Sequence, residues 1–474
     1  MRGLRSMLAA CLACAGCASS SVEPVEPAAD ASAEASPDAG ADTGEGGEAG
    51  HDADASLDAP DAGDEADAAH DADAPAEFAP RLVSSSADTY LEAEPSVAAG
   101  PAGRVVVAWV AGLNAGGASV AYAFSSDHGL HTTPPSLAPS PELGLQLGDP
   151  TVAFADDGTA YLALLAFDGA GIGVASRVYV ASAAPGTDTF GDFVRADPPG
   201  AGSVDMPWLS RLASGRLVAT WSAEGRLGLS TRTDADAGFA AQPFAADGSA
   251  IGWATTCAAG PTGRAYAAYV VATQSGLTVT TRVVFRRSDD GGASWSDATQ
   301  VALPAGSPPA VLDPVTCVAD GDDVWFAIAA GTDAWSIQGA DMQRATTAWV
   351  THSPDGGASF DRTVAAADAS GGDRYLHPYL VGDAASLAVV FYAGHEPDDA
   401  HASLRLARSL DRGATFGAST ALTSASLRLL TARSDYQWLG DYTSAVLDDG
   451  ALLVAFTTNE ASESHVALVR RALP

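Results

Sequence analysis

The chain has no lysine. All 24 of its basic residues are arginine, set against 59 acidic ones, for a formal net charge of −35 over 474 residues. Without lysine there is neither a Walker-type phosphate loop nor a Schiff-base nucleophile. A chain this acidic repels a phosphate backbone, which argues against nucleic acid as a partner. No Gly-x-Ser-x-Gly elbow occurs, so Ser-His-Asp catalysis has no support. No helical period of useful length appears either. Cysteine is scarce: of five, only Cys257 and Cys317 lie beyond residue 17. They occupy equivalent places in neighbouring repeats, "TTCAAG" and "VTCVAD". In an exported chain they either bridge or stay as two buried thiols.

Export is written at the N-terminus. Arg2 and Arg5 precede "SMLAACLACAG", an apolar run too short for a stable membrane span and rich in small residues. Residues 1–17 read as a signal peptide. The segment "CAGC" resembles a bacterial lipobox, with Cys17 as the lipidated residue and Cys14 where the family prefers Leu. Ala18 follows Cys17, and by resemblance to sorted lipoproteins this favours the outer membrane of a Gram-negative bacterium. Plain cleavage to a secreted protein is the alternative. Residues 18–80 carry eighteen carboxylates and no arginine, as in "DAPDAGDEADAAHDADAPAE". Such a segment buries too little apolar surface to offset its chain entropy and reads as a disordered, self-repelling tether.

Residues 81–474 repeat. An acidic or polar residue, often followed by Pro, leads into a short apolar strand, a Gly-containing turn and a second apolar strand. Copies start at Glu94, Asp149, Asp205, Thr255, Asp313, His377 and Asp441. Val, Ile, Phe, Tyr and Trp are enriched, and Gly or Asp-Gly stands at the turn, so each copy predicts a β-hairpin. A third strand follows most hairpins, such as "ASVAYAFSS", then a turn and a short fourth strand. Four antiparallel strands repeated around a circle make an all-β propeller. The final copy lacks its fourth strand while "PRLVSSS" from Pro80 is left over, so strands from both ends are expected to close the ring. Seven blades are expected, six being the alternative.

Three octapeptides punctuate these copies: Ser288, Asp290, Gly292, Ser294, Trp295; Ser353, Asp355, Gly357, Ser359, Phe360; and Ser409, Asp411, Gly413, Thr415, Phe416. They resemble the Asp-box of bacterial sialidases and related BNR-repeat propellers. A fourth, "SSDHGLHT" from Ser125, keeps Asp127 and Gly129 without the aromatic. Asp and Ser oxygens can accept from turn amides, Gly supplies a special backbone angle, and the aromatic can bury between sheets. The motif therefore reads as scaffold.

By the same resemblance, chemistry belongs at one mouth of the central channel, near the starts of the innermost strands. The candidates are Glu94, Asp149, Asp205, Asp313, Arg374, Tyr375, His377, Trp438, Asp441 and Tyr442, with "WLGDY" itself similar to a motif of secreted BNR-repeat proteins. Either these acids cap strands, or they converge on the channel and hold a cation or polar ligand. Resemblance to sialidases also implies three clustered arginines, a Tyr–Glu nucleophile pair, an Asp acid and an Arg-Ile-Pro signature. That signature is missing, and only Arg374, Arg433 and Arg344 lie near the expected mouth. "HEPDDAH", from His395 to His401, lacks zinc-helix spacing. The expectation is a monomeric glycan- or protein-binding surface module that meets the membrane only through its lipid. The alternative is an exo-acting glycoside hydrolase using two mouth carboxylates. No metal or cofactor is expected, with calcium as the exception left open.

Overall fold

A computed structural model describes most of residues 77–473, leaving out the interior segments 85–88, 114–116, 169–175, 260–262, 332–345, 368–372, 396–400, 424–426, 429–438 and 459–463 and single residues 192, 235, 277 and 312. The signal peptide, the lipobox and the tether up to residue 76 lie outside the described residues. Within them the chain is β-strand and turn, with one three-residue 3₁₀ segment, Pro101–Gly103.

The strands form a seven-bladed propeller. The innermost strands of blades 1 to 7 are Thr89–Ala99, Leu145–Phe154, Val204–Arg211, Thr255–Ala259, Thr316–Asp320, Asp373–Gly382 and Ser444–Asp448. In blades 1 to 6 the sequence runs outward from there through three further antiparallel strands. Blade 7 is different. Its third strand, His465–Ala472, pairs with Phe78–Leu82 from the other end of the described chain, Arg81 opposite Leu468. Chain-end pairing thus closes the ring, two residues earlier than "PRLVSSS" begins.

The apolar runs follow from this geometry. Alternate residues of a strand face opposite sides, and here both sides are covered by a neighbouring blade. In Val105–Leu113, Val106 and Ala108 pack toward Leu162 and Leu164 of blade 2. Val105, Val107 and Trp109 pack toward Leu453 and Leu468 of blade 7. A strand buried on both faces reads as continuous hydrophobicity instead of alternation, hence "VVVAWVAGL". The result is seven separate cores, one in each seam between blades.

Hydroxyls join the inner strands across the seams. Ser444 Oγ accepts from Val97 N at 3.1 Å and Ser96 Oγ from Val152 N at 3.1 Å. Thr316 Oγ1 accepts from Leu380 N at 2.9 Å and donates to Pro378 O at 3.2 Å. Thr255 donates to Val315 O, and Tyr392 OH accepts from Thr457 N at 2.9 Å. Cys257 and Cys317 form a disulfide between the innermost strands of blades 4 and 5, with Cα atoms 5.7 Å apart. Of the two fates left open by the sequence, the bridge is the one adopted.

Candidate functional site

Four x-Pro steps sit inside the innermost strands, while Asp313-Pro314 lies just ahead of Thr316–Asp320. Glu94, Asp149, Met206 and His377 have φ of 55°, 49°, 55° and 53°, and each precedes a proline. Pairing register shifts at all four places, so each is a β-bulge. Proline suits the site because it has no N–H to lose from the ladder. A left-handed non-glycine residue costs on the order of 1–3 kcal/mol, held only where the surroundings over-determine it. Four such residues in equivalent places turn side chains of blades 1, 2, 3 and 6 away from the regular pleat.

The side chains of two blade groups meet there in different ways. On blades 7, 1, 2 and 3, Glu94, Asp149, Asp205 and Asp441 converge. Glu94 Oε1 accepts from Asp441 N at 3.3 Å, and Asp205 Oδ1 accepts from Met206 N at 3.0 Å. Asp205 hydrogen-bonds the Asp149 carboxyl. Burial pushes Asp205 well above the usual carboxylate range, and the charges of Asp149 and Asp441 push it further. Two carboxyls in contact cannot both ionise cheaply, which adds to that upward shift. On blades 5 and 6, Asp313 receives His377 N at 3.2 Å, and its Oδ1 lies 2.7 Å from His377 Nδ1, a close contact outside aligned hydrogen-bond geometry. Capping and convergence therefore coexist: Asp313 serves its neighbour's backbone, and Glu94 does so while joining the acid group.

An aromatic cluster lies near the acids, with Tyr442 in the field of Glu94, Asp149 and Asp441. Met206, Trp208, Trp253 and Tyr442 form a buried cluster with Tyr379 against it. Ring centroids are 4.8 Å apart for Trp253–Tyr442 and 5.9 Å for Trp208–Tyr442, both edge-on. Tyr442 is fully buried and donates to Pro150 O at 2.8 Å. Burial raises its phenol well above the usual value, and the charges of Glu94, Asp149 and Asp441 add to this. Its hydroxyl is committed to the protein.

The expected residues thus fall into separate places. Asp149, Asp205 and Asp441 come together, with the buried Tyr442 near them. Tyr375 packs edge-on to Phe391 at 5.2 Å within the core of the blade 5–6 seam, not with Tyr442. Arg374 is placed by its backbone opposite Gly394. Its side chain, Trp438, Arg433, Arg344 and most of His395–His401 lie outside the described residues. Among the described residues no group of three or more His, Cys, Asp or Glu is arranged to hold a metal. Sequence reasoning missed Trp208, Trp253 and Tyr379. Trp208 and Tyr379 follow a bulge proline directly, and "MPW" beside "HPY" was the available signal. It also missed Glu92, buried between Trp109 Nε1 at 3.4 Å and His465 Nδ1 at 3.0 Å.

No protein-family model matches the chain, and no curated protein matches it in sequence. Its fold is shared with solved propellers. A protein of unknown function from Dyadobacter fermentans has a TM-score of 0.50 and 16% identity, over 83% of this chain and 98% of that one. The phage phi92 endosialidase has a TM-score of 0.51 and 8% identity, over 83% and 69%. An ulvan lyase, of polysaccharide lyase family PL25, has a TM-score of 0.50 and 14% identity, over 83% and 98%. At these identities the likeness is one of fold: a sialidase-like β-propeller.

Proposed function

We propose that this protein is an extracytoplasmic propeller, tethered to the outer membrane through Cys17, whose channel mouth binds a glycan. The observation that carries the reading is the group Glu94, Asp149, Asp205 and Asp441 gathered beside a buried aromatic cluster. Asp205 is half-buried while Glu94, Asp149 and Asp441 are buried around it, so the group offers a sugar hydroxyl chiefly the Asp205 carboxyl, backed by the other three. An acid-lined mouth favours neutral or cationic glycans over anionic ones. That the fold also serves an endosialidase and an ulvan lyase agrees with a carbohydrate ligand, although fold alone supplies no function. The test is a glycan array probed with the exported protein and with Asp149→Asn/Asp205→Asn. Wild-type binding to neutral or amino-sugar glycans, weakened about ten-fold or more in the variant, is expected from the loss of one or two charge-assisted bonds. Retention of no glycan, or equal binding by the variant, would overturn the reading and leave a protein partner.

One observation favours a second reading, glycoside hydrolysis. Asp205, pushed up beside a second carboxyl, resembles the usual pairing of an acid with a base or nucleophile. Turnover of fluorogenic glycosides, abolished by either Asp149→Asn or Asp205→Asn alone, would move the assignment from binder to enzyme.

A further inference from the structure

On the face opposite the mouth, the turns between third and fourth strands do more than hold themselves. In each Ser-Asp-Gly turn the residue between Asp and Gly has positive φ: His128 59°, Gly291 68°, Gly356 67° and Arg412 60°. That conformation aims its two backbone groups in different directions. The N–H groups of His128, Gly291 and Gly356 donate to the first hairpin of their own blade, at Gly103 O (2.7 Å), Gly263 O (2.6 Å) and Asp322 O (2.7 Å). The carbonyls accept from the blade before. Gly291 O receives Ser214 Oγ of blade 3 at 2.9 Å, and Gly356 O receives Arg287 Nη1 of blade 4 at 3.2 Å. Arg412 O receives Trp325 Nε1 of blade 5 at 3.0 Å, and His128 O receives Arg470 Nη1 of blade 7 at 3.3 Å.

Two turns without the motif are held in the same direction. Arg104 of blade 1 donates to Thr187 O at 2.7 Å, and Tyr161 of blade 2 donates to Asp234 Oδ1 at 3.1 Å. The motif glycines fit this arrangement. A Cβ on Gly292 would stand 2.7 Å from Leu212 Cδ1 of blade 3, and one on Gly413 would stand 3.1 Å from Trp325 of blade 5.

We propose that these turns are one-way clasps, each fastening its blade to the preceding one, and that the clasp built on Arg470 is the lock that keeps the ring shut. Arg470 is buried on the strand that pairs with the N-terminal strand. It binds Asp448 Oδ2 at 2.5 Å and Asp448 O at 2.8 Å as well as His128 O. His128 Nδ1 lies 3.0 Å from the same Asp448 oxygen. One guanidinium therefore ties together the first strand of blade 7, its own third strand and the motif turn of blade 1. Its bond to His128 O can form only when blades 7 and 1 stand side by side.

The test is hydrogen–deuterium exchange on the full chain, comparing wild type with Arg470→Met/Asp448→Asn. The second substitution removes the carboxylate that the first would leave buried and unpaired. The expected result is faster exchange, by about ten-fold or more, confined to Ser444–Asp448, His465–Ala472 and the 126–135 turn, as for local opening of one seam. Ser214→Ala is the control and should speed exchange only at the blade 3–4 seam. Exchange that rises equally in all seven blades, or that is unchanged at the 7–1 seam, would overturn the proposal. If the double variant fails to fold, Arg470→Lys, which keeps the charge and loses the fork, must show the same confined pattern.

Discussion

Asp290, Asp355 and Asp411 each set one carboxylate oxygen on the amide four residues ahead, at 2.8, 2.7 and 2.9 Å. The other oxygen takes the hydroxyl of Ser294, Ser359 or Thr415, each at 2.6 Å. Ser125 and Asp127 repeat the pattern with His131 in the hydroxyl's place. The hydrogen bonds from Thr415, side chain first and amide second, lower the Asp411 carboxyl to about 2, and those from Ser294 do the same for Asp290. A carboxyl depressed on folding makes the folded state bind fewer protons. Its contribution is complete above the ordinary value near 4 and is lost as pH falls from there through about 2. The thermal midpoint should therefore fall steeply across that window, and Asp290→Asn/Asp411→Asn should flatten the fall. A variant whose midpoint drops as steeply as wild type between pH 4 and pH 2 would show that these turns carry no acid sensitivity.

At the scale of strands and seams, much was legible because the physics is local. A turn needs its acceptors and its glycine within a few residues, and a doubly covered strand needs an unbroken apolar run. Seam chemistry was less legible because it joins residues about sixty positions apart. Glu94 and Asp149 look alike as "EPS" and "DPT", yet the first receives a blade 7 amide and the second meets the Asp205 carboxyl. Only the closed ring decides which acid finds which neighbour. The cysteine pair shows the same limit: equivalent places in adjacent repeats allowed a bridge without requiring one. The disulfide closes a loop between residues 60 apart, for which the chain-entropy account gives about 4 kcal/mol and measured cases usually give about 2–4. Cys257→Ala/Cys317→Ala should lose stability of that order in non-reducing urea titrations. The wild type should converge on the variant when reductant is added. Equal midpoints without reductant would show that the bridge contributes nothing to the blade 4–5 seam.

For the whole molecule, seven blades could be counted from seven hairpins, and closure followed from one missing strand and one left over. The mouth could not be drawn the same way. Its bulges, its aromatic cluster and the division of its acids into a converging group and an Asp313–His377 contact depend on strands arriving from different blades. Charge distribution is the other property of this scale. About half of the net charge of −35 is carried by the eighteen carboxylates of residues 18–80, ahead of the ring. Like charges at that density extend a chain and hold a domain away from an anionic surface, so an anchor at the far end is needed to keep the protein at a membrane. A single acyl chain binds a bilayer only marginally, and lipoprotein-type modification of Cys17 would supply more than one. The prediction is that the native protein fractionates with outer membranes and that its N-terminal peptide carries acyl mass on Cys17. Cys17→Ser should move the protein to the soluble fraction while its melting temperature stays unchanged, because the propeller begins some sixty residues later. Should the variant sediment as the wild type does, and the wild-type peptide lack acyl mass, the anchor is wrong and the tether belongs to a secreted protein.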